Sequence, residues 1–180
     1  RRRSRLLRDE GSRVMKKKIL FVINTMGQGG AEMALLELLS RIDPEKYEIS
    51  LLVLLGQGEL IDRLPPHVRL LNKKYDNTSV LTAEGRKHLR KHMLRILLGR
   101  GALFRAFPYL VKQSFLMMKK GRLLADKLLW RAAAIGAPSV REHFDMAVAY
   151  LEGGSAYYVA DFVDADVKAG FIHIDYVKAG

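Results

Sequence analysis

An open, mostly parallel α/β sheet flanked by helices and interrupted by a basic helical insertion is the architecture this 180-residue sequence predicts. Three observations lead there. Residues 19–23 (Ile-Leu-Phe-Val-Ile) are uniformly apolar and run into a glycine loop and an amphipathic helix, as a parallel strand covered on both faces by its crossover helices must. The same strand-then-helix order returns at 48–64 and 145–163. The composition, 49% hydrophobic and 28% charged, is that of a folded domain, and the length suits one unit with a sizeable core rather than two.

In chain order, residues 1–14 are charged and interrupted by Gly11, and Met15 directly precedes the first strand. This segment is expected to be a disordered basic extension, with the folded unit spanning 15–180. After the strand come Gly27-Gln28-Gly29-Gly30 and a helix opening near Ala31-Glu32. Glycines reach positive φ and let another group approach the backbone, and the helix start offers unpaired N–H groups and a positive dipole end. Gly27, Gly29 and Gly30 are therefore expected to receive an anion or a sugar edge; a tight turn without ligand is the alternative. Two phosphate loops are excluded by inspection, because the third glycine of G-x-G-x-x-G would fall at Glu32 and no Gly-Lys-Ser/Thr follows. Nor does the second strand end in the acidic residue that would hold an adenosine ribose.

Residues 41–47 read as helix end and turn around Pro44. A second buried strand spans 48–55, Gly56-Gln57-Gly58 breaks it, and 59–64 form one or two helical turns stopped by Pro65-Pro66. A third short strand covers 68–71, and the polar stretch 75–79 reads as a boundary. The character then changes. Between 86 and 131 there are thirteen lysines and arginines against the single acid Asp126, with apolar residues at helical spacing (Leu89, Met93, Ile96, Leu97; then Phe104, Phe107, Val111, Phe115, Met118). These basic amphipathic helices form an insertion over 86–134. Either their cations are a solvated face, or part of the insertion lies on an anionic membrane surface. The scarcity of acids favours the second, since a solvated helix mixes signs.

The last segment returns to α/β. A strand at 145–150 exits through 151–155 into a helix at 156–163, and the final strand is expected at 168–175. Ligands of such sheets bind beyond the carboxyl ends of the strands, so 24–30, 152–155 and 173–176 should line one edge. His173 and Asp175, two apart on a strand, would face the same side. The histidine could donate to a sugar hydroxyl or phosphate oxygen, and the aspartate could accept from a hydroxyl or remove its proton; a backbone-bonded histidine with a capping aspartate is the alternative. Glu152 and Gly153 form a loop that either faces the cleft or is a plain turn.

The net charge of +12 implies an anionic partner. Cysteine is absent, which excludes disulfides and thiolate metal sites and fits a reducing compartment. The five histidines show no ligand spacing with carboxylates, and no metal is expected. No apolar run approaches the roughly 18–20 residues that span a bilayer, and no signal-peptide pattern is present, so a soluble or peripheral protein is expected. No RNA- or DNA-binding motif accompanies the basic helices, so no nucleic-acid partner is expected; such a partner would announce itself by a steep salt slope.

Residues 18–39, with Gly29-Gly30-Ala31-Glu32 after Asn24-Thr25-Met26, resemble the opening of the N-terminal domain of glycosyltransferase family 4, and the strand, glycine, Glu59-Leu60 helix, proline and strand order resembles its second unit. The resemblance implies a Rossmann-like, acceptor-side domain of a metal-independent, hexosyl-transferring enzyme. No cofactor is implied, with a nucleotide-diphosphate sugar as donor and a sugar or lipid-linked acceptor. It also implies a C-terminal nucleotide-sugar domain beyond Gly180, work in bacterial surface polysaccharide or glycolipid synthesis, and a cytoplasmic, peripheral position at the inner face of the membrane. It places His173 and Asp175 in the catalytic cleft, Glu152 and Gly153 on a cleft-facing loop, and names no protein nucleophile. A truncated or split non-catalytic module that binds a partner or an anionic surface is the competing expectation.

Overall fold

The computed structural model describes residues 15–98, 107, 108, 111 and 125–173. Five parallel strands form one sheet: β1 (Lys17–Ile23), β2 (Tyr47–Val53), β3 (Val68–Leu70), β4 (His143–Ala149) and β5 (Asp164–Gly170), in the order β3-β2-β1-β4-β5. The open Rossmann-like α/β arrangement expected from the sequence is what the chain adopts. Its helices are α1 (Gly30–Arg41), α2 (Ala83–Leu98), α3 (Ala125–Gly136) and α4 (Gly154–Phe162), with a single 3-10 turn at Ile61–Arg63.

The apolar run of β1 is used on both faces, as side-chain alternation along a strand requires. Phe21 and Ile23 pack with Leu35 and Leu39 of α1, Leu51, Val53, Leu60 and Val148. Leu20 and Val22 point the other way, into a second core with Ala134, Phe144, Ala147, Tyr158 and Val159 of α3, β4 and α4. Leu35 and Leu39, one helical turn apart, are completely buried, each worth about 1.5–3 kcal/mol of burial. Register follows from this alternation, with Phe21 opposite Leu51 on one side and Val148 on the other. A one-residue slip would exchange the two cores.

Four expectations are corrected. The final strand runs over Asp164–Gly170 rather than 168–175. It is an edge strand whose polar start pairs with His143, 3.2 Å from Asp164 and 3.4 Å from Asp166, and aspartates mask a strand in sequence because they are depleted there. His173 therefore lies past the strand, and Asp175 and Tyr176 fall outside the described residues. β2 ends at Val53; Leu54 and Leu55 are buried but turn away, their N–H groups donating to Ile23 and Asn24 carbonyls at 2.9 and 3.0 Å. Gly154 and Ser155 open α4 rather than closing the loop before it. Residues 75–79 are no boundary, since Asp76 exchanges backbone bonds with Gly56 and Gly58 (2.8 and 2.9 Å) and Asp62 takes bonds from Tyr75 and Asn77. Of the insertion, α2 and α3 are described, while 99–106, 109, 110 and 112–124 fall outside. Among the described residues no helix is long and apolar enough to cross a membrane.

Candidate functional site

The strand order reverses between β1 and β4, which makes their carboxyl ends the topological switch point where open α/β sheets hold ligands. Asn24, buried at the end of β1, bridges the gap. Its Oδ1 accepts from the Ser155 N–H at the start of α4 (2.9 Å), and its Nδ2 donates to the Glu152 carbonyl (3.0 Å). One Glu152 carboxylate oxygen accepts from the His173 backbone N–H (3.1 Å). The His173 ring places Nε2 3.1 Å from the Tyr150 carbonyl. A carbonyl only accepts, so Nε2 carries the proton and a neutral ring keeps its Nδ1 lone pair. The imidazole stands 5.5 Å from the Tyr150 ring and 6.4 Å from Phe171, whose edge, with Ile172, is exposed. Burial pushes the Tyr150 hydroxyl up from its ordinary pKa, so it stays a neutral donor at physiological pH.

The glycine loop reaches this edge by a different device from the one expected. None of Gly27, Gly29 and Gly30 has a positive φ; among the described residues Gly56, Gly58 and Gly153 do. Gly29 is the extended N-cap of α1, and no side chain caps that helix. The space a Gly29 Cβ would take is filled by the Glu32 carboxylate, and that of Gly27 by Val80, 2.8 Å away. Around Gly30 nothing lies within 4 Å. The Glu32 carboxylate thus already lies against the positive end of α1. Gly153 has φ +85 because it must turn the chain into α4 with the Trp130 ring 3.3 Å from where a Cβ would be. One face of the predicted Glu152-Gly153 loop is thus packed, while the Glu152 carboxylate holds His173.

Sequence reasoning missed two features of the edge. Glu59 places one carboxylate oxygen out of solvent, with no hydrogen-bond partner among the described residues, 4.0 Å from a Gly27 Cβ position. Its signal was the Gly58-Glu59 step after the second strand. The second is a half-open recess of about 410 Å³ lined by Leu55, Gln57, Lys74, Asp76 and one face of α2. His92 lines it, held below the ordinary imidazole pKa by burial and then by Arg95. The His88 Nδ1 lies 2.6 Å from an Asp76 oxygen. Among the described residues no cluster of three or more His, Asp or Glu could hold a metal ion.

Asp76 gives a pH prediction. The His88 hydrogen bond and then those of Thr78 lower its carboxyl from 3.8 to about 2. A carboxyl depressed on folding adds stability that is fully present above its unfolded pKa and is lost as pH falls from 3.8 toward 2. The side chain is 35% exposed, so screening leaves about 1 kcal/mol. Urea midpoints across this acid window should fall less steeply in Asp76→Asn than in the wild type; parallel slopes would remove the Asp76 contribution.

Compared with family models, with curated proteins and with solved structures, the chain gives no match. What the fold and the site define is an open α/β domain with a hydrogen-bonded, carboxylate-bearing edge at its switch point.

Proposed function

We infer that this chain is the acceptor-binding half of a metal-independent, nucleotide-sugar-dependent glycosyltransferase, of the kind its family 4 resemblance implies, working on a lipid-linked or surface-polysaccharide acceptor. The reading rests chiefly on one observation: Asn24, Glu152 and His173, at or just past the ends of three strands, are joined by hydrogen bonds at the switch point.

Acceptor binding follows from the groups present. Glu152 and Glu59 supply carboxylate acceptors for sugar hydroxyls, and exposed Phe171 and Ile172 supply an apolar ledge for a sugar face or lipid chain. His173, with Nε2 fixed by the Tyr150 carbonyl, offers Nδ1 as general base. In transfer it would take the acceptor hydroxyl proton as the new C–O bond forms at the anomeric carbon and the nucleoside diphosphate leaves. Asp175 would share this edge by the same resemblance. The donor would sit against Gly29 and Gly30 and a C-terminal domain of the same enzyme. A peripheral position at the inner face of a membrane belongs to this reading, supported by exposed Leu94, Phe107 and Val111 in the basic 86–131 segment.

The test is transfer of a labelled sugar by the native protein. His173→Ala should lower turnover by at least about 100-fold, the scale of a lost general base. Gly30→Val, which has room in the fold, should lower it about tenfold by blocking ligand approach. Both should keep the wild-type melting temperature. Undiminished transfer by the two variants would discard the assignment.

A further inference from the structure

We propose that the cavity at the carboxyl ends of β2 and β3 is a binding site for a phosphate ester, with Lys74, Lys91 and Arg95 as its charged contacts and His88 and His92 as its imidazole donors. The proposal stands whether or not a sugar is transferred at the neighbouring edge.

The first argument is the helix face. His88, Lys91, His92 and Arg95 recur at i, i+3, i+4 and i+7 of α2 and all line the cavity. Such spacing aligns side chains on one face. That face borders the recess with cations and imidazoles alone, His92 half-buried and His88, Lys91 and Arg95 exposed at its rim. The second argument is electrostatic. Lys74, Lys91 and Arg95 confront a single carboxylate in the lining, Asp76, which is already engaged by His88 and Thr78. None of the three cations has a carboxylate partner among the described residues, which they share with surface cations such as Arg63 and Arg90; what sets them apart is that they converge on one recess. Like charges gathered in one recess repel unless an anion joins them.

The third argument is shape and rigidity. A volume of about 410 Å³ lies within the range of small-molecule sites. Its floor is held in place: buried Gln57 donates to the Thr78 and Gly85 carbonyls at 3.1 and 3.0 Å, which ties the start of α2 to the loop after β2. Tyr75 donates its hydroxyl to Asp62 (2.8 Å), fixing the wall beside Lys74. Arginine and lysine around a recess of this size favour the compact, multiply charged oxygens of a phosphate ester over a carboxylate, because each oxygen takes more than one charge-assisted bond. The shared chemistry has two sources, a soluble phosphate ester or a lipid phosphomonoester headgroup.

The experiment titrates sodium pyrophosphate into the full chain by calorimetry, with sodium chloride at matched ionic strength as the blank. Pyrophosphate should bind above the blank and shift the imidazole NMR signals of His88 and His92. His67, which bonds the Leu39 carbonyl elsewhere, should not respond. Lys91→Gln and Arg95→Gln should each weaken binding about tenfold, the loss of one charge-assisted contact. Arg90→Gln removes the same charge outside the cavity and should leave affinity unchanged. Vesicles containing phosphatidic acid, set against phosphatidylglycerol vesicles, separate the sources. Competition with pyrophosphate by phosphatidic acid alone assigns a lipid phosphomonoester, and its failure to compete assigns a soluble ester. No heat above the chloride blank, unmoved His88 and His92 signals, or equal losses in Arg90→Gln and Arg95→Gln would each overturn the site.

Discussion

Gly58→Val will lower the stability of the chain by about 3 kcal/mol or more, read as a fall in urea midpoint at constant m value. Gly58 has φ +142, a conformation valine does not accept, which costs of order 1–3 kcal/mol. Its missing Cβ faces backbone: the carbonyl of Met26 occupies the space, and the Gly27 nitrogen is 2.7 Å away. Backbone cannot rotate aside as a side-chain tip can, so overpacking adds about 1–3 kcal/mol. Relief would separate the loops that Gly58 joins, at the expense of the Met26 N–H bond to the Gln57 carbonyl, the Leu60 N–H bond to Met26 and the Gly58 N–H bond to Asp76, each 2.9 Å. These bonds form the wall between the glycine loop and the cationic cavity, so the variant should damage both. Gly30→Ala is the contrast. That position is helical and has nothing within 4 Å, so alanine should stay within about 1 kcal/mol of wild type or improve on it. Equal losses in the two variants would show that the close approach at Gly58 is not what holds the loops.

The contrast also marks what the sequence could and could not say. β1, β2 and the end of β4 were legible because a strand buried on both faces must be apolar throughout, and a glycine break with an amphipathic helix must follow. β5 was not, because an edge strand has one face in water and its alternating Asp164, Asp166 and Lys168 resemble a loop. The convergence of residues near 24, 152 and 173 on one edge followed from strand polarity and was legible. The bonds that join them were not, because they depend on β1 lying next to β4, an adjacency no local pattern encodes. Glycine conformation misled for the same reason. Gly27-Gln28-Gly29-Gly30 is densest in glycine yet ordinary in φ, while Gly58 and Gly153 carry positive φ with distant groups, Met26 and Trp130, pressed against them. The α2 face at 88, 91, 92 and 95 was not singled out, because its partners across the recess, Leu55 to Gln57 and Lys74 to Asp76, come from the ends of two distant strands.

Asn24→Leu should cost about 2–4 kcal/mol and displace His173, and the second effect is the informative one. Leucine keeps the branching of asparagine at Cγ but, besides being larger, leaves the Ser155 N–H and the Glu152 carbonyl without their partner. A buried group stripped of its bond costs about 1–3 kcal/mol. The Ser155 amide should then exchange faster with solvent than in the wild type. Because Glu152 also accepts from the His173 N–H, loosening its carbonyl should propagate to the imidazole and shift its NMR signals. Asn72→Leu supplies a matched control on the other side of β1. Asn72 donates to the Val53 carbonyl at 2.7 Å and accepts from the Val53 N–H at 2.9 Å, so the same number of bonds is lost at the end of β2. That variant should be destabilised to a similar degree while His173 keeps its wild-type signals. If both variants disturb His173 alike, the effect is a general loosening of the sheet edge, and Asn24 does not organise the switch-point opening. If only Asn24→Leu does, one buried amide sets both the stability of the β1 to β4 junction and the position of the histidine proposed to take the acceptor's proton.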